Sequence, residues 1–337
     1  MSEGVYTYMF IFSIASFFWK FASLSSFDSN VLSKHSFLSV PFVFYQFNGS
    51  DFSFIDSCIH RSASLSSGHL SVDGCLVCPY HGWSYLNGSL NSIPGVPYHS
   101  ASEAHDLQSF KTVRVNNDLF FQPVETNIQH PIYVPPEASL DSFSRISGQR
   151  IIDVPSYIVT DNLLDMMHIS FVHSFGNPIS PVPFHIHYED LDNVSGKTSF
   201  HYNAASSSMS KIIGGADTVI VENEFHLPDA TVTRVIANHL VKTIVTHALP
   251  ITQDKTILFF DLYRNFLTNS IFDFIFDSQM KITLDEDVKI LQQIHFKKID
   301  SPLVPIIERL PFNNKFDITQ IKYKQKCRKW NLDWWVL

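Results

Sequence analysis

The chain has 337 residues, 45% hydrophobic and 17% charged, with a formal net charge of -8. That is a globular composition, long enough for two domains or one large one, each with a full core. Lys and Arg are scattered rather than blocked, which excludes nucleic acid and anionic membrane surfaces as expected partners. Cys58, Cys75, Cys78 and Cys327 are too few and too uneven for a disulfide scaffold, so a reducing compartment and metal ligation fit better.

Residues 5–19, VYTYMFIFSIASFFW, form an apolar run of 15 residues with no basic residue before it. A spanning helix needs about 20 residues and a signal peptide a positive start. Residues 1–18 therefore read as an N-terminal segment whose helix docks on the domain, in preference to a membrane-associated or targeting segment. Cytoplasmic placement is the matching expectation, with membrane or organelle association through residues 5–19 as the alternative. From Phe37 to Ile55 the text is rich in β-formers and interrupted at Asn48-Gly49, a hairpin signal. Gly74, Asn87-Gly88 and Pro94-Gly95 punctuate further strands, and residues 19–125 read as a small antiparallel domain.

Within that domain stand Cys58-Ile-His60 and, 17 residues later, Cys78-Pro-Tyr-His81-Gly-Trp. Each half offers one thiolate and one imidazole from a tight loop. A [2Fe-2S] cluster accepts such a set, two cysteines on one iron and two histidines on the other, and the neutral histidines raise its potential. A structural zinc site competes, but zinc-finger spacing pairs Cys with Cys and His with His. Cys75, three residues before Cys78, reads as a buried thiol.

The stretch ETNIQHPIYVPPEASLDSFS marks a connector, placed at 126–150, and a second domain spans 151–337. In Asp161–His173, DNLLDMMHISFVH, the polar residues Asn162, Asp165 and His168 fall three apart and form one stripe on a helix. His173 follows five residues later, so a bulged turn is expected to bring both imidazoles to one ion. Two imidazoles, one carboxylate from elsewhere and open positions suit ferrous iron; a hydrogen-bonded core pair is the plain competitor. Strand-like runs follow at 217–226, 231–247 and 256–263, then a helix in LDEDVKILQQIHF, whose Asp285, Glu286 and Asp287 suit a helix N-terminal turn. His185 and His187 read as pocket or surface residues. The phenylalanines of FDFIFD at 272–277 offer an apolar pocket lining. A basic residue above the iron favours a carboxylate substrate, and Arg264 and Arg234 are the first candidates.

CIHRSASLSSG followed by CPYHGW resembles the Rieske loops of the non-haem iron oxygenases, usually CxHRGxxLxxG with CPYHGW; Ser62 stands where glycine is usual. Cytochrome bc Rieske proteins carry an additional cysteine in each loop, whereas Ala63 and Tyr80 stand here. DNLLDMMHISFVH resembles the second signature of the same oxygenases, NxxDxxHxxxxH. The resemblance implies an α+β fold: an all-β Rieske domain, then a helix-grip domain with an antiparallel sheet around a long helix. It implies a [2Fe-2S] cluster on Cys58, His60, Cys78 and His81, and mononuclear Fe(II) on His168, His173 and Asp287, with Asp285 and Glu286 as rivals for the last place. Asp165 becomes the bridging carboxylate that receives electrons from His81 of a neighbouring subunit in a head-to-tail homotrimer.

The activity so implied is that of a terminal oxygenase, hydroxylating or oxidatively demethylating a small hydrophobic or aromatic substrate with O2. No flavin or nicotinamide fingerprint is present, so a ferredoxin or flavin reductase must supply electrons. The single-chain architecture resembles the monooxygenase and demethylase groups, including vanillate-type demethylases and chlorophyll-degrading oxygenases. Plant chlorophyll-degrading members often carry a C-terminal CxxC; Cys327 stands alone, which does not support that subgroup. The alternatives are a Rieske electron-transfer protein without a catalytic iron and a zinc-bound interaction module.

Overall fold

The computed structural model describes residues 16–24, 27–28, 30–96, 106–123, 130–206, 208–294 and 313–332. The helix expected in the N-terminal segment lies outside them up to residue 15. Phe17 is buried, and Trp19 opens the first strand. The chain divides into two compact units, Met1–Ile132 with Ile251–Gln253, and Tyr133–Pro250 with Asp254–Leu337. Among the described residues no helix is long and apolar enough to cross a membrane.

The first unit contains strands β1 (Trp19–Ser23), β2 (Ser33–Phe37), β3 (Val40–Phe47), β4 (Ser50–Ile55), β5 (His69–Leu70), β6 (Leu76–Val77), β7 (Ser84–Leu86), β8 (Ser89–Ser92), β9 (Lys111–Val115) and β10 (Asp118–Gln122). They form three antiparallel sheets, ordered β1-β10-β9, β2-β3-β4 and β5-β6-β7-β8. The β3–β4 hairpin closes on Asn48-Gly49, both at positive φ (50° and 78°), the turn whose twist matches its strands. Strand β3 is buried on both faces. Phe42 and Phe44 meet Phe21 edge-on at 5.5 and 5.3 Å, a favoured aromatic geometry. The alternate residues Val43 and Tyr45 join Leu65, Leu76, Tyr85, Cys58 and Cys78 in a second core.

The second unit is built on one seven-stranded antiparallel sheet. Its strands are β11 (Ser144–Ile152), β12 (Phe184–Asp190), β13 (Ser195–Asn203), β14 (Thr218–His226), β15 (Ala230–Ala237), β16 (Leu240–Thr252) and β17 (Lys255–Arg264), in the order β11-β17-β16-β15-β14-β13-β12. Two expectations change here. The run at 231–247 is not one strand but a hairpin, turned at Asn238 with φ 56°; asparagine tolerates that left-handed conformation. The connector expected over 126–150 contains most of β11, an edge strand of this sheet.

Five helices are described: α1 (Ser156–Leu164), α2 (Ile169–Val172), α3 (Met209–Ile212), α4 (Asp273–Ile294) and α5 (Ile318–Lys329). Helix α4 begins well before the LDEDV segment and takes DFIFD, all of FDFIFD but Phe272, into its first turns. Its buried residues are Phe276, Met280, Leu284, Asp287 and Leu291, spaced three or four apart and so on one face. That face packs on Ile152, Val154, Leu258, Phe260 and Leu262 in the core. Each such apolar side chain contributes about 1.5–3 kcal/mol by burial. Asp287 is the single charge in the stripe, and a buried carboxylate needs a partner.

Candidate metal centres and cavity

The two Cys-His loops repeat one backbone design. Cys58 N–H donates to Ala63 O and Ser62 N–H to Cys58 O, at 2.9 and 2.8 Å. Twenty residues on, Cys78 N–H donates to Trp83 O and Gly82 N–H to Cys78 O, at 2.8 and 3.1 Å. The fourth residue after each cysteine is left-handed, Ser62 at φ 55° and Gly82 at φ 70°, so Ser62 accepts a conformation that favours glycine. Cys58 and Cys78 are each 2% exposed, while His60 and His81 are exposed, with ring centroids 4.7 Å apart.

Trp83 stacks on His60 at 4.5 Å, and the Tyr85 hydroxyl lies 3.1 Å from Cys58 Sγ. Burial pushes the Tyr85 phenol up, so it keeps the proton needed to donate to a thiolate. Among the described residues, the group whose ligand atoms all lie within 4.8 Å is His168, His173 and Asp287. The four loop residues do not gather that closely, as one tetrahedral zinc requires; a two-iron cluster asks for the wider set. Cys75 is buried and free, its N–H held by Ser71 Oγ at 3.0 Å.

The second centre departs from the expected bulged helix. Helix α1 stops at Leu164, and Asp165 is extended at ψ 124°. Its Oδ1 accepts from Met167 N–H at 2.7 Å, a side-chain turn that competes with the helical ladder. Helix α2 then starts, with His168 as its N-cap and His173 as its C-cap. The break, not a bulge, lets two histidines five apart converge.

Hydrogen bonding fixes what each ring presents. His168 Nδ1 donates to Asp165 O at 2.9 Å and His173 Nδ1 to Glu286 Oε2 at 3.0 Å, since carbonyl and carboxylate oxygens only accept. In neutral rings both Nε2 atoms therefore carry lone pairs, and these stand 3.2 Å apart. Burial pushes His168 toward that neutral form. Asp287 Oδ1 lies 3.5 Å from each Nε2 and has no hydrogen-bond partner. Three electron-rich atoms facing one another repel unless a cation joins them. The centre of their triangle is about 2 Å from each, the length of a metal–imidazole bond. These residues fit a mononuclear metal, with carboxylate and carbonyl orienting the histidines.

The three acids of α4 take different parts. Asp285 pairs with Arg150 at 2.5 Å, Glu286 orients His173, and Asp287 joins the triad. The orienting role of Glu286 was not read from sequence, although the phase of Leu284, Asp287 and Leu291 singles out Asp287. His168, His173 and Asp287 line a cavity of about 210 Å³. One wall is the alternate residues of β14, β15 and β16, among them Val221, Asn223, Thr233 and Ile244.

Neither arginine expected above the iron reaches the cavity. Arg264 is held by Leu267 O, Asp273 and the face of Phe276. Arg234 is held by Glu137, Glu222 and Glu224. The phenylalanines of FDFIFD do not line it either: Phe272 ends the turn before α4, and on the first turns of α4 Phe276 enters the core and Phe274 is 67% exposed. His185 and His187 are exposed on β12, outside the cavity.

Comparisons with known proteins find a match over each of the two regions. Residues 20–111 match the Rieske [2Fe-2S] domain, and residues 152–332 match the vanillate O-demethylase oxygenase C-terminal domain. Pheophorbide a oxygenase of Arabidopsis thaliana is 29% identical over 195 residues, 51% of this chain and 36% of that protein. The dicamba O-demethylase oxygenase component of Stenotrophomonas maltophilia is 29% identical over 160 residues, 46% of each. The chain thus spans about a third to a half of the length of these relatives.

The fold is that of dicamba monooxygenase bound to 3,6-dichlorosalicylic acid, at a TM-score of 0.79 and 19% identity over 95% of this chain and 98% of that one. Pseudomonas putida CBB5 NdmA with caffeine gives 0.77 and 16% over 94% and 91%. The cofactors that go with the two matched domains are a [2Fe-2S] cluster and a mononuclear iron. With more than half its length in the oxygenase domain, the chain belongs to the vanillate O-demethylase oxygenase family of Rieske non-haem iron oxygenases.

Proposed function

We propose that the chain is a terminal oxygenase that hydroxylates or oxidatively demethylates a small organic substrate, with Cys58, His60, Cys78 and His81 holding the cluster and His168, His173 and Asp287 holding ferrous iron. One observation carries this reading: two imidazole lone pairs and a partnerless carboxylate oxygen converge on the edge of a mostly apolar cavity. When bound, the cluster relays electrons one at a time and the ferrous ion activates O2.

The chain's own residues do the positioning. Asp165 O and Glu286 hold the two rings with Nε2 facing Asp287, and three protein ligands leave positions open toward the cavity. The mostly apolar cavity limits the water that reaches the substrate. No side chain has to act as a general base, because the protein orients and the cofactor supplies the hard chemistry. The compounds named with the structural neighbours, 3,6-dichlorosalicylic acid and caffeine, support a small ring compound as substrate.

Electrons come from a ferredoxin or flavin reductase. In a homotrimer His81 of one subunit faces Asp165 of the next, and residues 19–125 and 151–337 divide the cluster and iron functions. The test is the metal content of the purified chain, expected to be three irons with two acid-labile sulfides. Two irons would reduce the chain to an electron carrier.

A further inference from the structure

We propose that the cavity binds an organic carboxylate whose acid group pairs with Lys242, which makes Lys242 the specificity-determining residue; this rests on the oxygenase reading and names its substrate class. Lys242 lies on β16 in register with Val235 of β15, on the face it shares with Ile244 and Thr246, and all four line the cavity. Among the described residues its Nζ has no hydrogen-bond or ion-pair partner; its contact is the Phe175 ring, 5.9 Å away. An ammonium without a counter-ion beside an apolar cavity is costly, and burial pushes its pKa down. A carboxylate supplies the missing partner. The other basic side chains of the lining are His168 and His173, whose Nε2 atoms already face the metal position.

Further groups in the same cavity lack partners. Asn223 is 1% exposed, and its Oδ1 meets no donor; Gln279 Oε1 is in the same position. Both line the cavity with Lys242. Buried polar atoms are rarely left so; both oxygens are acceptors, so they call for a donor on the ligand such as a ring hydroxyl, while the carboxylate is left to Lys242.

Reach agrees with chemistry. The Phe175 ring stacks on His173 at 4.9 Å and meets Lys242 on its other contact at 5.9 Å, so Nζ is at most about 11 Å from the His173 ring, a span one substituted ring bridges. An apolar cavity of about 150 Å³ admits benzene. The 210 Å³ found here admits a ring with its acid group.

The test is calorimetric binding of benzoates, hydroxybenzoates, methoxybenzoates and 2-naphthoate, each against its carboxamide, to the iron-loaded wild type, Lys242→Met and Lys242→Arg. We expect at least one acid to bind wild type and Lys242→Arg about ten- to a hundredfold more tightly than Lys242→Met, with its carboxamide unmoved by either change. The proposal is overturned if no acid in the panel prefers wild type over Lys242→Met, or if acids and carboxamides respond alike. Calorimetry does not read turnover. A chain with two irons sinks the oxygenase reading while binding still reports on Lys242; a chain with three irons whose ligands ignore Lys242 loses this proposal alone.

Discussion

The two faces of strands β14 to β16 treat several of their polar groups in opposite ways, although Thr231 and Thr246 on the cavity face do pair with each other. On one face Glu222, Arg234 and Thr243 stand directly across from one another in the ladder. Arg234 donates to Glu137, Glu222 and Glu224 at 2.7, 2.8 and 2.9 Å, and Thr243 donates to Glu137 at 2.7 Å. On the cavity face, one residue along each strand, Asn223 and Lys242 have no such partners, and Asp287 and Gln279 on α4 also carry partnerless oxygens. A buried group that is paired holds the scaffold; a buried group left unpaired is held ready for something the chain does not supply.

The largest effect that sharpens this contrast is on the open side. His168→Ala is expected to remove the mononuclear iron, lowering the content from three irons to two with the visible cluster spectrum intact. Retention of the third iron would detach His168 from the centre. On the closed side, Arg234→Met removes the cation shared by Glu137, Glu222 and Glu224, leaving Glu222 with Lys197 and Glu224 with His226, and is expected to cost about 3–5 kcal/mol in a urea titration, as for a broken buried pair, with iron content unchanged. Loss of iron in that variant would break the division between the faces.

The closed network also sets an acid limb. Burial alone would raise Glu137 and Glu224, but hydrogen bonds from Arg234 and Thr243 to the first, and from His226 and Arg234 to the second, hold both below the ordinary value of 4.5. Their contribution is complete above that value and is lost as pH falls through the lower folded-state value. Urea midpoints are expected to decline below about pH 4.5 in wild type, and that decline to be shallower in Arg234→Met, where Thr243 and His226 still donate to the two carboxylates. A smaller effect comes from the orienting carboxylate: Glu286→Gln keeps an acceptor for His173 Nδ1 but removes its charge. Iron affinity is expected to fall about 10–100-fold, read by competition with a chelator, and an unchanged affinity would leave Glu286 a surface hydrogen bond only.

Legibility in the sequence followed how local each feature is. Cys58 with His60, and Cys78 with His81, could be read because each loop closes on its own backbone within six residues. His168 and His173 could be found as a pair, but the Asp165 turn that unites them depends on a side chain competing with the helix, which spacing does not reveal. An antiparallel sheet was expected, yet its hairpin at Asn238 was hidden because Asn-His lacks the glycine that marks the Asn48-Gly49 turn. The expectation that Arg234 faces the cavity was an error of parity. Register pairs Arg234 with Thr243 and Val235 with Lys242, and a shift of one residue moves a side chain to the other face.

The smallest expected effect tests whether the open side is open by necessity. Without metal, Asp287 presents an oxygen with no donor to two imidazole lone pairs 3.5 Å away, an arrangement that favours unfolding. Asparagine at this position keeps the shape, removes the charge and offers N–H donors to the Nε2 atoms. In protein stripped of mononuclear iron but keeping its cluster, Asp287→Asn is therefore expected to be more stable than wild type by about 1 kcal/mol, read as a higher urea midpoint. With iron supplied the order reverses, because wild type gains binding free energy that the variant lacks. If stripped Asp287→Asn were the less stable chain, the unpaired oxygen would be a packing requirement of α4, and the contrast between the two faces would no longer separate scaffold from site.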